Sequence, residues 1–196
     1  VDISIEAGDF ISIAGPSGSG KSTILNMIGL IDTPTEGEVF INGKSTAALK
    51  DKALTNLRHS FIGFIFQSFN LIPVLTVREN IEFPFLLGKK PRITAEHREW
   101  IDYLTEAVGL AGHLKHRPNE LSGGQRQRVA IARALVAKPE VVLADEPTAN
   151  LDSVTGEQIL ELMKKVNCEL NTTFIFSTHD DKIVRIADHV VRLKDG

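Results

Sequence analysis

Gly15-Pro16-Ser17-Gly18-Ser19-Gly20-Lys21-Ser22-Thr23 decides how the chain is read. The stretch fits the pattern GxxxxGK[ST] of a phosphate-binding loop. Before it, Phe10-Ile11-Ser12-Ile13-Ala14 is a short apolar run suited to a buried strand. After it, Thr23-Ile24-Leu25-Asn26-Met27-Ile28 reads as the first turns of a helix. Strand, loop and helix in that order are the context the motif needs. The glycines let backbone N–H groups turn inward around a polyphosphate. The helix start adds about half a positive charge at the same point. Lys21 would reach the β- and γ-phosphates, and the Ser22 hydroxyl would ligate Mg²⁺. A glycine-rich turn without a ligand has no use for Lys and Ser at these offsets.

The 196 residues suffice for one sizeable core, and 42% apolar with 24% charged residues is ordinary for a globular protein. A net charge of −3 offers no footprint for nucleic acid or an anionic membrane surface. The lone cysteine, Cys168, excludes a disulfide framework and fits a reducing compartment. No apolar run approaches the roughly 18 residues that span a bilayer, and no secretory or transit segment is visible. Val1, Ile3 and Ile5 alternate with Asp2, Ser4 and Glu6, which predicts a strand under way at the first residue. Lys194-Asp195-Gly196 reads as a turn after a strand. Both ends look cut, so the expectation is an excerpt of a longer chain.

Outward from the loop, Gly29 to Gly37 carries turn chemistry, with Pro34-Thr35-Glu36-Gly37 in it. Glu38 to Ile41 predicts a strand and Asn42-Gly43 a tight turn. Asp51 to Arg58 predicts a short helix, and Phe61 to Phe66 a strand that ends at Gln67. Thr76 would cap a helix from Val77. Gly88-Lys89-Lys90-Pro91-Arg92 reads as a solvated basic turn. Thr94 would cap a second helix, whose Trp100, Leu104, Ala107 and Val108 fall at helical spacing. Ser122 would cap a third helix that runs to about Ala137. Residues 76–137 therefore predict an all-helical block between strands. Alternation then resumes: Val141 to Ala144 a buried strand, Ser153 to Leu170 a helix, Thr173 to Ser177 a strand, Asp180 to Ala187 a helix, His189 to Leu193 a strand. Such alternation implies an α/β fold with a mainly parallel sheet covered on both faces. Ligands sit at the carboxyl ends of such strands, and Gly15, Gln67, Asp145 and His179 all fall just past strand ends.

Asp145 and Glu146 follow an apolar strand directly. A carboxylate there can hold Mg²⁺, and its neighbour is placed to act as general base toward a water. The competing reading is a carboxylate pair capping the turn before Pro147. Gln67, a neutral amide, could touch both metal and water; taken alone, it would be a surface residue. His179 could donate to a phosphate oxygen; taken alone, it would be a satisfied structural histidine. Leu121-Ser122-Gly123-Gly124-Gln125 is the most specific stretch. Its glycines are poor helix formers at a helix start, which suggests close backbone approach by something. A Ser hydroxyl and bare N–H groups there make a second anion site. Two sites for one phosphate make sense if two chains meet head to tail, each covering the other's nucleotide.

Together these stretches resemble the nucleotide-binding subunit of ATP-binding-cassette (ABC) proteins, over essentially the whole chain and in the family's motif order. The resemblance implies a P-loop NTPase core with an antiparallel β portion on the N-terminal side and an inserted α-helical subdomain, 76–137, within a single domain, 1–196. Gly15, Pro16, Ser17, Gly18, Ser19, Gly20, Lys21, Ser22 and Thr23 look like its Walker A loop, and Val141–Glu146 like Walker B. Gln67, Asn150-Leu151-Asp152 and His179 fall at its Q-loop, D-loop and switch histidine. Glu146, His179 and Gln67 would be catalytic; Ser22, Gln67 and Asp145 would hold Mg²⁺. Leu121, Ser122, Gly123, Gly124, Gln125 and Asp152 would contact ATP across a dimer. A finer resemblance, to lipoprotein-releasing and macrolide-exporter ATPases, rests on Gly63–Pro73, Ala144–Thr148 and Leu193–Gly196; cell-division ATPases of the same branch look similar. It implies an ATPase peripheral to the cytoplasmic face of the inner or plasma membrane. Its partners would be a second copy of itself and a permease, received by the Gln67 loop and the helical subdomain, with Phe69, Leu71, Ile72, Leu75, Phe83 and Phe85 as apolar candidates, several of which could equally be core of the helical lobe. The alternatives are a regulatory cassette gating a membrane partner, or a soluble one with no permease. One departure is that no aromatic precedes Phe10, where the family stacks the adenine; the expectation is that it lies before Val1.

Overall fold

The computed structural model describes residues 2–87 and 93–194. The readings placed on Val1, on Gly88 to Arg92 and on Asp195-Gly196 lie outside the described residues. Five strands form one parallel sheet: β1 (Phe10–Ala14), β4 (Ile62–Ile65), β5 (Val141–Asp145), β6 (Thr173–Thr178) and β7 (His189–Arg192). Their order is β4-β5-β6-β1-β7. Ile65 pairs Ala144, Asp145 pairs Ser177, and Ala14 pairs Thr178. The carboxyl ends of four adjacent strands are therefore level along one edge.

Strand residues alternate between two cores, because side chains point to opposite faces with period two. Phe10, Val142, Ala144, Phe174 and Phe176 face one cluster, where Phe10 and Phe176 lie 4.5 Å apart, ring centre to ring centre. That cluster holds α3 (Val77–Leu86), α4 (Ala95–Ala107), α5 (Gly123–Leu135), α6 (Ser153–Leu170) and α7 (Asp181–Ile186), through residues such as Ile81, Ile101, Val129, Ile159 and Ile183. Ile13, Leu143 and Ile175 face the other, under α1 (Lys21–Ile28) and α2 (Asp51–Phe61). The helical block between β4 and β5 thus shares its core with the sheet.

Its helices begin where caps were expected. Thr76, Thr94 and Ser122 each close a capping box with the residue three positions on. The antiparallel part is two short strands, β2 (Phe40–Ile41) and β3 (Lys44–Ser45), joined through Asn42 and Gly43 at φ 49 and 71. The strand predicted at the start of the chain is absent: Asp2 to Glu6 lie outside any strand. Ile3 and Ile5 are still partly buried in alternation with exposed neighbours, so the period survives, but no strand pairs with it in the described residues.

Candidate active site

The phosphate loop joins β1 to α1. Gly18 and Gly20 hold φ of 80 and 91, and Gly20 caps α1 in the left-handed conformation. Those values strain any residue with a Cβ, which is why the loop is written in glycines. Lys21 is buried, and its Nζ donates to the carbonyls of Gly15 at 2.8 Å and Pro16 at 2.9 Å. The cation lies folded over its own loop. Ser19 is buried with a hydroxyl that meets no partner. An orphaned buried hydroxyl inside a phosphate loop fits a ligand that supplies acceptors.

β5 delivers the acidic pair. Ser22 Oγ lies 3.2 and 3.3 Å from the two carboxylate oxygens of Asp145. A hydroxyl and a carboxylate converging from different elements suit Mg²⁺, which takes one or two protein ligands and completes its shell with phosphates and water. No group of three or more His, Cys, Asp or Glu side chains among the described residues is arranged to hold a metal by itself.

Glu146 adopts φ 46, unusual for a residue with a side chain. Its N–H donates to Ser177 O at 2.8 Å, which locks the turn onto β6. One carboxylate oxygen accepts from Thr178 Oγ at 3.2 Å, and the other lies 2.7 Å from His179 Nδ1. Backbone strain of this kind is held by surrounding structure where function needs it. With Nδ1 donating to Glu146, the exposed ring of His179 could donate from Nε2 only as the imidazolium, or after leaving Glu146.

Gln67 is exposed, two residues beyond β4. Its carbonyl accepts from Asn150 Nδ2 at 2.8 Å, so the loops after β4 and β5 are tied together. What holds the Gln67 loop was missed by sequence reasoning. Phe69 and Asn70 have φ of 61 and 47, and Arg133 of α5 donates to both their carbonyls, at 2.7 and 2.6 Å. Arg126, also on α5, lies over the Phe69 ring at 5.3 Å. Burial lowers the pKa of Arg133 from its ordinary value. The available signal was an arginine set among Ile131, Ala132, Ala134 and Leu135. Arg133→Met strips two carbonyls of their donors, at about 1–3 kcal/mol. For a domain of this size, the melting temperature should fall by roughly 3–10 °C. A melting curve that matches the parent would show the clamp to be idle.

At the second anion site, Ser122 is exposed and Leu121 is not: the Leu121 side chain lies in the core, so only its backbone could meet a partner. The two glycines differ. A Cβ on Gly124 would meet Thr155 Cγ2 at 2.4 Å, so packing within the chain already requires that glycine. A Cβ on Gly123 would meet only Leu151 and Asn150 at ordinary contact distance. Asp152 caps α6, accepting from the N–H groups of Val154 and Thr155. Hydrogen bonding by Thr155, side chain first, holds its carboxyl below the usual range. The apolar residues proposed for a partner groove are half-buried, and Leu71 and Phe85 pack on the core. The exposed apolar side chains nearby are Val74, Leu86 and Leu87.

The family model described as ABC transporter matches residues 1–149. The chain belongs to the ABC transporter family. It is 50% identical over 198 residues to the uncharacterised ABC transporter ATP-binding protein MJ0796 of Methanocaldococcus jannaschii, covering all of this chain and 84% of that protein. It is 47% identical over 197 residues to the lipoprotein-releasing system ATP-binding protein LolD 1 of Rhodopseudomonas palustris, covering all of this chain and 86% of that one. A solved dimeric structure of MJ0796 in a post-hydrolysis state, bound to ADP and Pi, superposes with a TM-score of 0.89 at 48% identity, covering all of this chain and 85% of the other. The chain is an ABC ATPase whose ligand pair is ATP with Mg²⁺.

Proposed function

We propose that two copies of this chain close head to tail over two MgATP, that each copy completes the other's site with Ser122–Gln125, and that hydrolysis drives a membrane permease in lipoprotein release or export. The observation that carries the reading is the pair of anion sites with separate surroundings. Nothing within 4 Å of the space a Gly123 side chain would fill belongs to the phosphate loop; the neighbours there are Asn150 and Leu151. A helix start whose serine still has a proton to donate, with no phosphate-loop atom within that distance, is half a site, and a second copy supplies the other half. Ser122 Oγ accepts the Gln125 N–H at 3.2 Å, and its own proton remains for an acceptor on the partner's nucleotide. In the cis half, Lys21 and the loop N–H groups hold the β- and γ-phosphates. Ser22, Asp145 and Gln67 would hold the metal, which would neutralise phosphate charge when bound. Glu146 takes the proton of the attacking water.

Transport coupling rests on the loop after β4. The dimeric MJ0796 structure and the LolD 1 likeness support a paired cassette of the lipoprotein-releasing and exporter branch, peripheral to the cytoplasmic face of the membrane. No helix among the described residues is long and apolar enough to cross a membrane; in this reading the crossing belongs to the permease. Its docking segment would meet exposed Val74, Leu86 and Leu87, and movement of the 76–137 block would carry Gln67 in or out of the site through Arg133.

Ser122→Arg tests the composite site. A long cation at that position should leave ATP binding to the single chain within about twofold and lower turnover at least roughly tenfold by blocking closure. Normal turnover in that variant would refute a site shared between copies. For the permease, the complex should be captured from membranes in mild detergent. Recovery of a membrane protein with Ser122→Arg as well as the parent would place docking upstream of closure; ribosomes or DNA in its place would overturn the transport reading.

A further inference from the structure

The Gln125 side chain is held at both ends. Its Oε1 accepts the Ser122 N–H at 2.9 Å, which makes Nε2 the donor end of the amide. That nitrogen lies 3.1 Å from His113 Nε2. Two donors cannot share this contact, so His113 Nε2 accepts, and the imidazole carries its proton on Nδ1. His113 ends a single 3₁₀ turn, Ala111–His113. The chain that follows is fastened to the start of α3: Val77 N–H donates to His116 O at 2.8 Å, and Arg78 N–H to Leu114 O at 3.1 Å. The His116 N–H donates back to His113 O at 2.9 Å, and the two rings lie 5.2 Å apart. The short segment 111–116 therefore touches both the helix that follows the Gln67 loop and the amide that closes the box around Ser122.

We infer that His113 is a positioning residue for the Ser122–Gln125 motif: as acceptor for Gln125 Nε2, it holds the carboxamide on the Ser122 N–H and so aims the Ser122 hydroxyl at the partner copy's nucleotide. This rests on the composite site proposed above. Without the acceptor, the amide of Gln125 is free to rotate and the box around Ser122 loosens. The Gln125 N–H and the Ser122 hydroxyl then hold no fixed geometry at the moment of closure. The phosphate loop has no part in this contact, so binding of ATP to the single chain is untouched.

The test is made in full-length Glu146→Gln protein, with ATP-driven dimerisation followed by sedimentation velocity. His113→Phe and His113→Leu remove the acceptor with two different apolar shapes; His113→Gln restores one through its amide oxygen. One neutral hydrogen bond is worth a factor of about 3–10, and a closed dimer contains two. The apolar variants should raise the dimer dissociation constant about 10–100-fold, with ATP affinity of the monomer unchanged and the melting temperature lowered by only about 2–5 °C. His113→Gln should return the constant to within about threefold of the parent. Parent-like dimerisation of either folded apolar variant would overturn the inference. So would a His113→Gln variant as weak as His113→Phe, because ring packing rather than the acceptor would then matter. If the parent Glu146→Gln itself stays monomeric with saturating ATP, the composite site fails and takes His113 with it, an outcome distinct from the other two.

Discussion

Glu146→Gln should bind ATP, dimerise and turn over about 10²–10⁴-fold more slowly than the parent. The carboxylate stands at the end of β5 with its φ in the left-handed region and its N–H bonded to Ser177 O at 2.8 Å. The amide is nearly the same shape and keeps the backbone turn, so Asp145 beside it stays where Ser22 meets it. What changes is basicity: an amide cannot take a proton from water. It also removes a negative charge facing the γ-phosphate, which favours the closed ATP state. The His179 contact at 2.7 Å survives as a hydrogen bond to the amide oxygen, and the 3.2 Å bond to Thr178 reverses, the amide nitrogen donating to Thr178 Oγ. Single-turnover hydrolysis in concentrated protein, with the dimer followed by light scattering, checks both halves. Turnover within tenfold of the parent would remove Glu146 from the role of base. Slow turnover in a protein that stays monomeric with saturating ATP would keep the base and discard the shared site.

The parts of the fold that could be read ahead were those whose cause is local. The phosphate loop carries its own backbone requirement in Gly18 and Gly20. The caps Thr76, Thr94 and Ser122 each sit with the partner that closes the box three residues on. The parallel sheet followed from helices and strands in alternation, because parallel neighbours need a crossover. What failed depended on distant partners. Asp2 to Glu6 has the period of a strand, but a ladder needs a second chain of N–H and C=O groups, and alternation says nothing about whether one is there. The close approach read from Gly124 is there, but one source of it, Thr155 on another helix, could not be named from the sequence. Arg133 was passed over because its two acceptors lie more than sixty residues away in sequence. The apolar residues assigned to a partner surface were chosen by hydrophobicity alone, which cannot separate Leu71, packed on the core, from Val74, 72% exposed. Strand ends gave the positions of Gln67, Asp145 and His179. Their tethers, Asn150 to Gln67 and Glu146 to His179, required the three-dimensional arrangement.

Lys21→Ala should weaken ATP binding by roughly a hundredfold. The ammonium donates to Gly15 O and Pro16 O, and only 8% of the residue is exposed. Binding exchanges two neutral carbonyl acceptors for phosphate oxygens. The gain is therefore a difference: a charge-assisted bond is about twice as strong as a neutral one, and in a pocket shielded from water the charge pair is screened less. About 3 kcal/mol is a reasonable net loss for removing the cation, which is two decades in Kd. The fold should tolerate the change, because the loop conformation is set by Gly18 and Gly20 and the two freed carbonyls lie in a loop whose Pro16 and Ser17 are exposed to water. Lys21→Arg should fare little better: a planar guanidinium is wider than an ammonium and has to fit the same buried position. Calorimetric titration with ATP, beside a melting curve for each variant, separates a binding loss from unfolding. If Lys21→Ala melts like the parent and binds ATP with the same Kd, the loop does not hold the nucleotide through its lysine, and the cis half of the proposed site is wrong. If ATP affinity falls while the melting temperature holds, the charge of Lys21 on the phosphates is the source of the affinity, and the cis half of the proposed site stands.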